Sequence, residues 1–197
     1  MDNLPVGLKE LDCSDNNLIY ECYAWPGIGN LQIMNKVLTQ ASLNDPSFYV
    51  INWTWTDRFD FLDPLNEHWY TLRPDGNTHE HRLYYRYFYN QYHTMLTNAS
   101  YIKSTADILN SRGIKFIMTL IDTTLFDHVD PDWQDPRSIS LLQKEISPYI
   151  TWFDNQTFLS WAKQKGFSIS NNLHPLEDAH QAAFDYLKSL VKDIKIK

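Results

Sequence analysis

The stretch IKFIMTLI, residues 114–121, constrains the fold more than any other part of the chain. An apolar run of this length without strict alternation reads as a strand buried on both faces, and such strands belong to parallel sheets covered by helices. Gly113 lies just before it, where a left-handed cap ends a helix. Residues 83–112, LYYRYFYNQYHTMLTNASYIKSTADILNSR, are free of Gly and Pro and read as one long helix or two abutting ones. A helix feeding a doubly covered strand is the repeating unit of an α/β fold.

The same alternation recurs along the chain. LIYECYAW (18–25) reads as a strand stopped by Pro-Gly. IGNLQIMNKVLTQAS (28–42) then places Ile28, Leu31, Ile33, Met34, Val37 and Leu38 on one helical face. SFYVINW (47–53) is a second β-rich run, and a polar, aromatic loop follows to about residue 81. RSISLLQKEI reads as a short helix and YITWF as a fourth strand. DNQTFLSWAKQKG reads as a helix with Asp154 as its N-cap and Gly166 as its stop, and the last helix starts at Pro175. The expected fold is one domain, residues 1–197, α/β in class: a three-layer α/β/α doubly wound parallel sheet.

Composition narrows the function. The net charge of -7 and the thin spread of Lys and Arg disfavour nucleic acid as a partner. No apolar run approaches the ~20 residues that span a bilayer, and the start resembles no signal segment, so no membrane partner and a cytoplasmic location are expected. Cys13 and Cys22 are read as free thiols suited to a reducing compartment. The sequons at Asn52, Asn98 and Asn155 then carry no meaning. Aromatic residues, concentrated in WTWTDRFDF and LYYRYFYNQYHTM, are expected to fill the core rather than to line a cleft.

In a doubly wound sheet, ligands sit beyond the carboxyl ends of the strands, which here are WPGIGN, WTWTDR, IDTTLFD and the segment before His174. PGIGN opens a helix, so the amides from Gly27 to Asn30 can hold an oxyanion or phosphate, although glycine also serves a tight turn on backbone grounds alone. A dinucleotide or S-adenosylmethionine site is disfavoured, because YVINWTW does not end in the acid that binds a ribose. Arg58 offers a fixed cation for an anionic substrate group, or a partner for Asp57 or Asp60. Asp57 and Asp60 in one loop suit acid-base work, or simply keep the loop soluble. His79, Glu80 and His81 lack a recognisable metal-ligand spacing, so no metal is assigned, and no cofactor is expected.

His174 precedes Pro175, which places it near a helix N-cap, with Glu177 three residues on as a capping-box residue. A helix start disfavours imidazolium and keeps the ring neutral, as a general base requires. Asn171 stands where an orienting partner is wanted, but it supplies no charge.

YAWPGIGN, VINWTWTDRFDF and NNLHPLEDAH, in that order, resemble the second, third and fifth sequence blocks of the SGNH (GDSL-type) hydrolase superfamily, above all its divergent phage members. The resemblance spans residues 18–190. It implies that Gly27 matches the glycine whose amide helps form the oxyanion hole and that His174 matches the catalytic histidine. Thr56 and Asp57 fall where the family carries Asn-Asp, and Asn171 replaces the aspartate of its Asp-x-x-His pair. The implied activity is hydrolysis of an ester or acylated small molecule, and a non-catalytic descendant used for binding or assembly is the alternative. The family's first strand and its nucleophile belong upstream of Leu18. Ser14 in LDCSDNN lacks the strand-turn-helix setting of a nucleophile. Either the natural protein is longer, or residues 1–17 and a partner chain, as in a homo-oligomer, cover the gap.

Overall fold

The computed structural model describes residues 21–43, 48–65, 67–127 and 136–191. They form a mixed α/β fold. Its centre is the parallel pair of β1 (Tyr49–Trp53) and β4 (Phe116–Leu120), in the register Tyr49↔Phe116 to Trp53↔Leu120. The segment expected to be a strand buried on both faces therefore is a strand. On its other side only a single parallel bridge, Met118 to Ile150, joins the expected fourth strand, continued by Thr151 N–H donating to the Met118 carbonyl at 2.7 Å.

β4 is covered on both faces. Met118 and Leu120 enter a core with Ile51 and Trp53 of β1, Ala41 of α1 (Asn30–Ser42), and Ala99, Ile102, Ala106 and Leu109 of α3 (Gln91–Ser111). Their three- and four-residue spacing gives α3 one continuous buried stripe. Ile117 and Ile121 enter a second core with Phe158, Trp161 and Ala162 of α5 (Phe158–Gln164) and Ala179, Ala183 and Leu187 of α6 (Glu177–Val191). The helix α4 (Pro136–Ile146) adds Ile146 to the first core.

Several expectations are corrected. Residues 21–25 are irregular rather than the end of a strand, and residues 18–20 lie outside the described part, as do Cys13 and Ser14. The loop after β1 contains an antiparallel hairpin, β2 (Phe59–Leu62) with β3 (Trp69–Leu72), and α2 (His79–Tyr87) begins before the expected residue 83. Of the two readings of residues 83–112, the abutting helices are seen. Asn90 accepts the His93 amide at 3.0 Å and so caps α3 afresh. Thr157, not Asp154, caps α5; Asp154 instead pairs with Lys165 at 3.0 Å.

The aromatic segments also depart from a plain core role. Trp53 is buried, but α2 buries none of its residues, and its Tyr84 ring stacks on Phe59 of the hairpin at 4.5 Å. Tyr85 donates its hydroxyl to the Asp57 and Leu72 carbonyls, tying both ends of the hairpin to α2. Among the described residues, no helix is long and apolar enough to cross a membrane.

Candidate functional site

The site is built on the loop that leaves β1. Asn30, the first residue of α1, donates through Nδ2 to the Thr54 carbonyl at 3.0 Å and to Asn98 Oδ1 at 2.6 Å, and it accepts the Thr54 amide at 2.8 Å. Asn98 of α3 donates to the Thr56 carbonyl at 3.0 Å and to the Thr94 carbonyl at 2.7 Å. Both asparagines are buried, so their amides hold the loop and have no donor left over. The side chain of Asn30 is thus a clamp, a role separate from that of its backbone amide, the group expected at an oxyanion. Thr56 is buried as well, and its contribution is the carbonyl that Asn98 grips.

Of the helix-start amides offered to an oxyanion or phosphate, that of Gly29 is taken from within the chain. Asp60 of β2 accepts the Gly29 amide at 2.9 Å, the Gln32 amide at 2.9 Å, the Gln32 side-chain amide at 3.0 Å and the Thr71 hydroxyl at 2.6 Å. This is the usual chemistry of an anion at a helix start, with a carboxylate as the anion. It also explains Gly29, where an added Cβ would lie 2.6 Å from Asp60 Oδ2. Neither reading of the Asp57 and Asp60 pair, acid-base work or a soluble loop, fits Asp60, which is buried and committed to α1. Gly27, upstream of these amides, has φ +82°, a conformation that favours glycine.

Trp55, Arg58 and His174 meet outside this scaffold. The Arg58 guanidinium lies 4.7 Å from the Trp55 ring centroid and donates to the Ile28 carbonyl at 2.9 Å, rather than pairing with Asp57 or Asp60. The His174 ring stands edge-on to Trp55 at 5.1 Å between centroids. A tight loop presents that ring: Ile169 bridges Pro175, the Ser170 amide donates to the His174 carbonyl at 2.8 Å, and the His174 amide donates to Ser170 Oγ at 3.1 Å. Leu173 takes φ +61° inside the turn. Pro175 thus belongs to a β-bridge and α6 starts at Glu177, so His174 precedes the helix by more than an N-cap would, and the expected capping box does not form.

The surroundings of His174 favour the neutral ring, but not through a helix start. Partial desolvation lowers the His174 pKa below its ordinary 6.5, and the nearby Arg58 and Arg73 cations lower it further. Desolvation likewise lowers Arg58, with Arg73 adding to it, and raises Asp57 against the opposing pull of Arg58. Asp122, at the end of β4, is also raised by desolvation, partly offset by its hydrogen bonds to Thr124.

Arg58 and His174 therefore meet at Trp55 in the loop that leaves β1, with Asp57 next to Arg58 in the chain and Gly27 near Arg73, while Asn30 and Thr56 belong to the clamp that holds this loop. Asn171 is exposed, and among the described residues no hydrogen bond joins it, or any serine, threonine or cysteine, to the His174 ring. Trp55, Arg73 and Asp122 received no role from the sequence. Asp122 directly follows the clearest strand, a position that marks it, whereas Arg73 depends on a hairpin register hidden in a polar, aromatic segment. His81 and Glu80 both meet the Thr78 hydroxyl at the start of α2. The chain matches no family model, no curated protein and no solved structure.

Proposed function

We propose that the chain is an SGNH-like hydrolase domain, of the three-layer doubly wound type, that acts on an ester or acyl group with His174 as its proton carrier. The observation that supports this best is the setting of His174. Its ring is edge-on to Trp55, beside Arg58, at the carboxyl end of a parallel strand pair, with its pKa held low enough for the neutral form to accept a proton at pH 7. The covering of β4 by α1 and α3 on one face and by α5 and α6 on the other is consistent with the layered fold.

In this reading a serine hydroxyl attacks the acyl carbon while His174 takes its proton. His174 then returns the proton to the departing alkoxide, and water releases the acyl group by the same route. The Gly27 amide supports the oxyanion, and Arg58 holds an anionic part of the substrate. Among the described residues, no serine hydroxyl is hydrogen-bonded to the His174 ring.

A specific observation favours a second reading, a binding protein without turnover: Asn171 carries no charge and makes no hydrogen bond to the His174 ring, and the side-chain amide of Asn30 is fully used by Thr54 and Asn98. Hydrolysis of a short-chain aryl ester by the wild type and by His174→Ala decides between them. The hydrolase reading expects kcat/KM to fall by about 10²-fold or more. Equal rates would remove His174 from the mechanism.

A further inference from the structure

At its open end the β2–β3 hairpin carries two arginines. Arg58 directly precedes β2 and Arg73 directly follows β3, so the two flank the last pair of the ladder, Phe59↔Leu72. Both reach the same stretch of backbone before α1. Arg58 Nη1 donates to the Ile28 carbonyl at 2.9 Å, and Arg73 Nη1 lies 3.6 Å from the point where a Cβ on Gly27 would stand. Like charges facing one another across two paired strands oppose the pairing, and this chain, of net charge -7, has few cations to spend on such a contact.

The carboxylates nearby do not resolve the conflict. Asp60 is taken up by its Gly29, Gln32 and Thr71 donors. Asp75 meets Arg73 Nε at 3.5 Å, but as an exposed pair that water screens, and it leaves the outer nitrogens of the fork for another acceptor. Among the described residues no carboxylate lies within ion-pair distance of Arg58. Desolvation first, and then Arg73, make the Arg58 charge harder to keep, and the pull of Asp57, Asp75 and Asp60 does not reverse this. The place is open to a ligand, since Gly27, Ile28 and Arg73 all line a cleft of about 530 Å3 between the start of α1 and the hairpin. Each guanidinium offers parallel N–H donors that match a carboxylate or a phosphate. Neighbouring residues stand only about 3.8 Å apart at Cα, so two forks that reach Gly27 and Ile28 suit one compact anion rather than an extended one.

We propose that Arg58 and Arg73 form one binding site for a compact oxyanion, a carboxylate or a phosphate, at the Gly27–Ile28 turn and beside the Trp55–His174 contact. Arg73 thereby joins Arg58 as a specificity-determining residue. Resting on the hydrolase reading above, the ester cleaved is carried by a molecule that bears such a group.

The His174 ring reports on the site, because Arg58 and Arg73 oppose its protonation while Asp75 favours it. An anion seated on the two arginines weakens their opposition. The test follows the ring protons of His174 by NMR through a pH titration of the full chain, repeated at rising sodium phosphate, sodium acetate or sodium chloride at matched ionic strength. Phosphate or acetate is expected to raise the midpoint saturably where chloride does not, and the tighter of the two identifies the group. Arg73→Gln is expected to weaken that anion by about tenfold. Arg73→Lys, which keeps the charge but not the fork, should weaken it too and serves if Arg73→Gln melts below the wild type. Equal shifts with chloride, no saturation up to roughly 10 mM, or unchanged affinity in both variants overturns the proposal. Turnover is compared on 4-acetoxybenzoate and its neutral methyl ester by release of the phenol. The wild type is expected to favour the charged ester by about tenfold in kcat/KM, and Arg73→Gln to lose that preference. Anion binding without His174-dependent turnover sinks the hydrolase reading alone. Turnover with neither anion binding nor preference sinks the anion site alone.

Discussion

Asp60 is a buried carboxylate with four donors, and its position turns a ligand-binding motif into a structural joint. Gly29 and Asp60 make one contact between them, so their replacement effects should not add. Gly29→Ala drives a Cβ into the carboxylate and is expected to cost about 1–3 kcal/mol, as overpacking does. Asp60→Ala removes charge-assisted hydrogen bonds and leaves the Gly29 and Gln32 amides unpaired, at about 2–4 kcal/mol. In the double variant the clash is gone, so denaturant unfolding should show Gly29→Ala costing much less in the Asp60→Ala background. Additive values would mean that the two residues do not act on each other. His174 supplies a second check at this scale. Its ring protons should titrate by NMR with a midpoint below 6.5, and Arg58→Gln should move that midpoint upward, because one of the two cations opposing protonation is removed. A midpoint at or above 6.5 in the wild type would contradict the electrostatic setting described here.

At the scale of elements, the Asn30–Asn98 pair joins α1, α3 and the loop leaving β1, three segments distant in sequence. Asn98→Ala strips partners from the Asn30 amide and the Thr56 carbonyl in a buried setting and is expected to cost about 2–4 kcal/mol. In a chain of this length that lowers Tm by roughly 5–10 °C, measurable by calorimetry. Neither asparagine was legible as a clamp, because a hydrogen bond between helices depends on where the helices pack and not on local pattern. The strand at 116–120 and the helix at 30–42 were legible, since an unbroken apolar run and a one-sided apolar stripe each state their own environment. The hairpin was not. In Phe59–Leu62 the inward position is Asp60, buried by its bonds to α1, so the strand lacks the apolar inner face that would have announced it. His174 and Arg58 were legible as residues at strand ends, whereas Trp55, which joins them, had looked like core.

Across the whole molecule, the carboxyl end of the sheet carries an electrostatic cost. Asp57 and Asp122 are both partly desolvated there, Asp57 adds to the rise at Asp122, and among the described residues neither is closed off by an ion pair as Asp154 is by Lys165. Such strain is a common mark of an edge shaped for a ligand rather than for stability. Its consequence for folding follows from linkage. A carboxyl whose folded pKa lies above its unfolded value binds more protons in the folded state between those two values, so stability falls as pH rises through that window. Above the window a constant penalty remains, and below 3.8, the ordinary value for Asp122, the penalty is absent. Asp122→Asn keeps the side-chain size and an oxygen to accept the Thr124 amide at 3.2 Å, while removing the charge. The variant should therefore melt above the wild type at pH 7, with the difference closing as pH falls toward 3, where both side chains are neutral. Calorimetric melts of both proteins across that range measure the effect. A variant that melts lower at pH 7 would show that the hydrogen bonds from Thr124 outweigh the desolvation of Asp122, and the sheet edge would then be stabilised by the charge it holds.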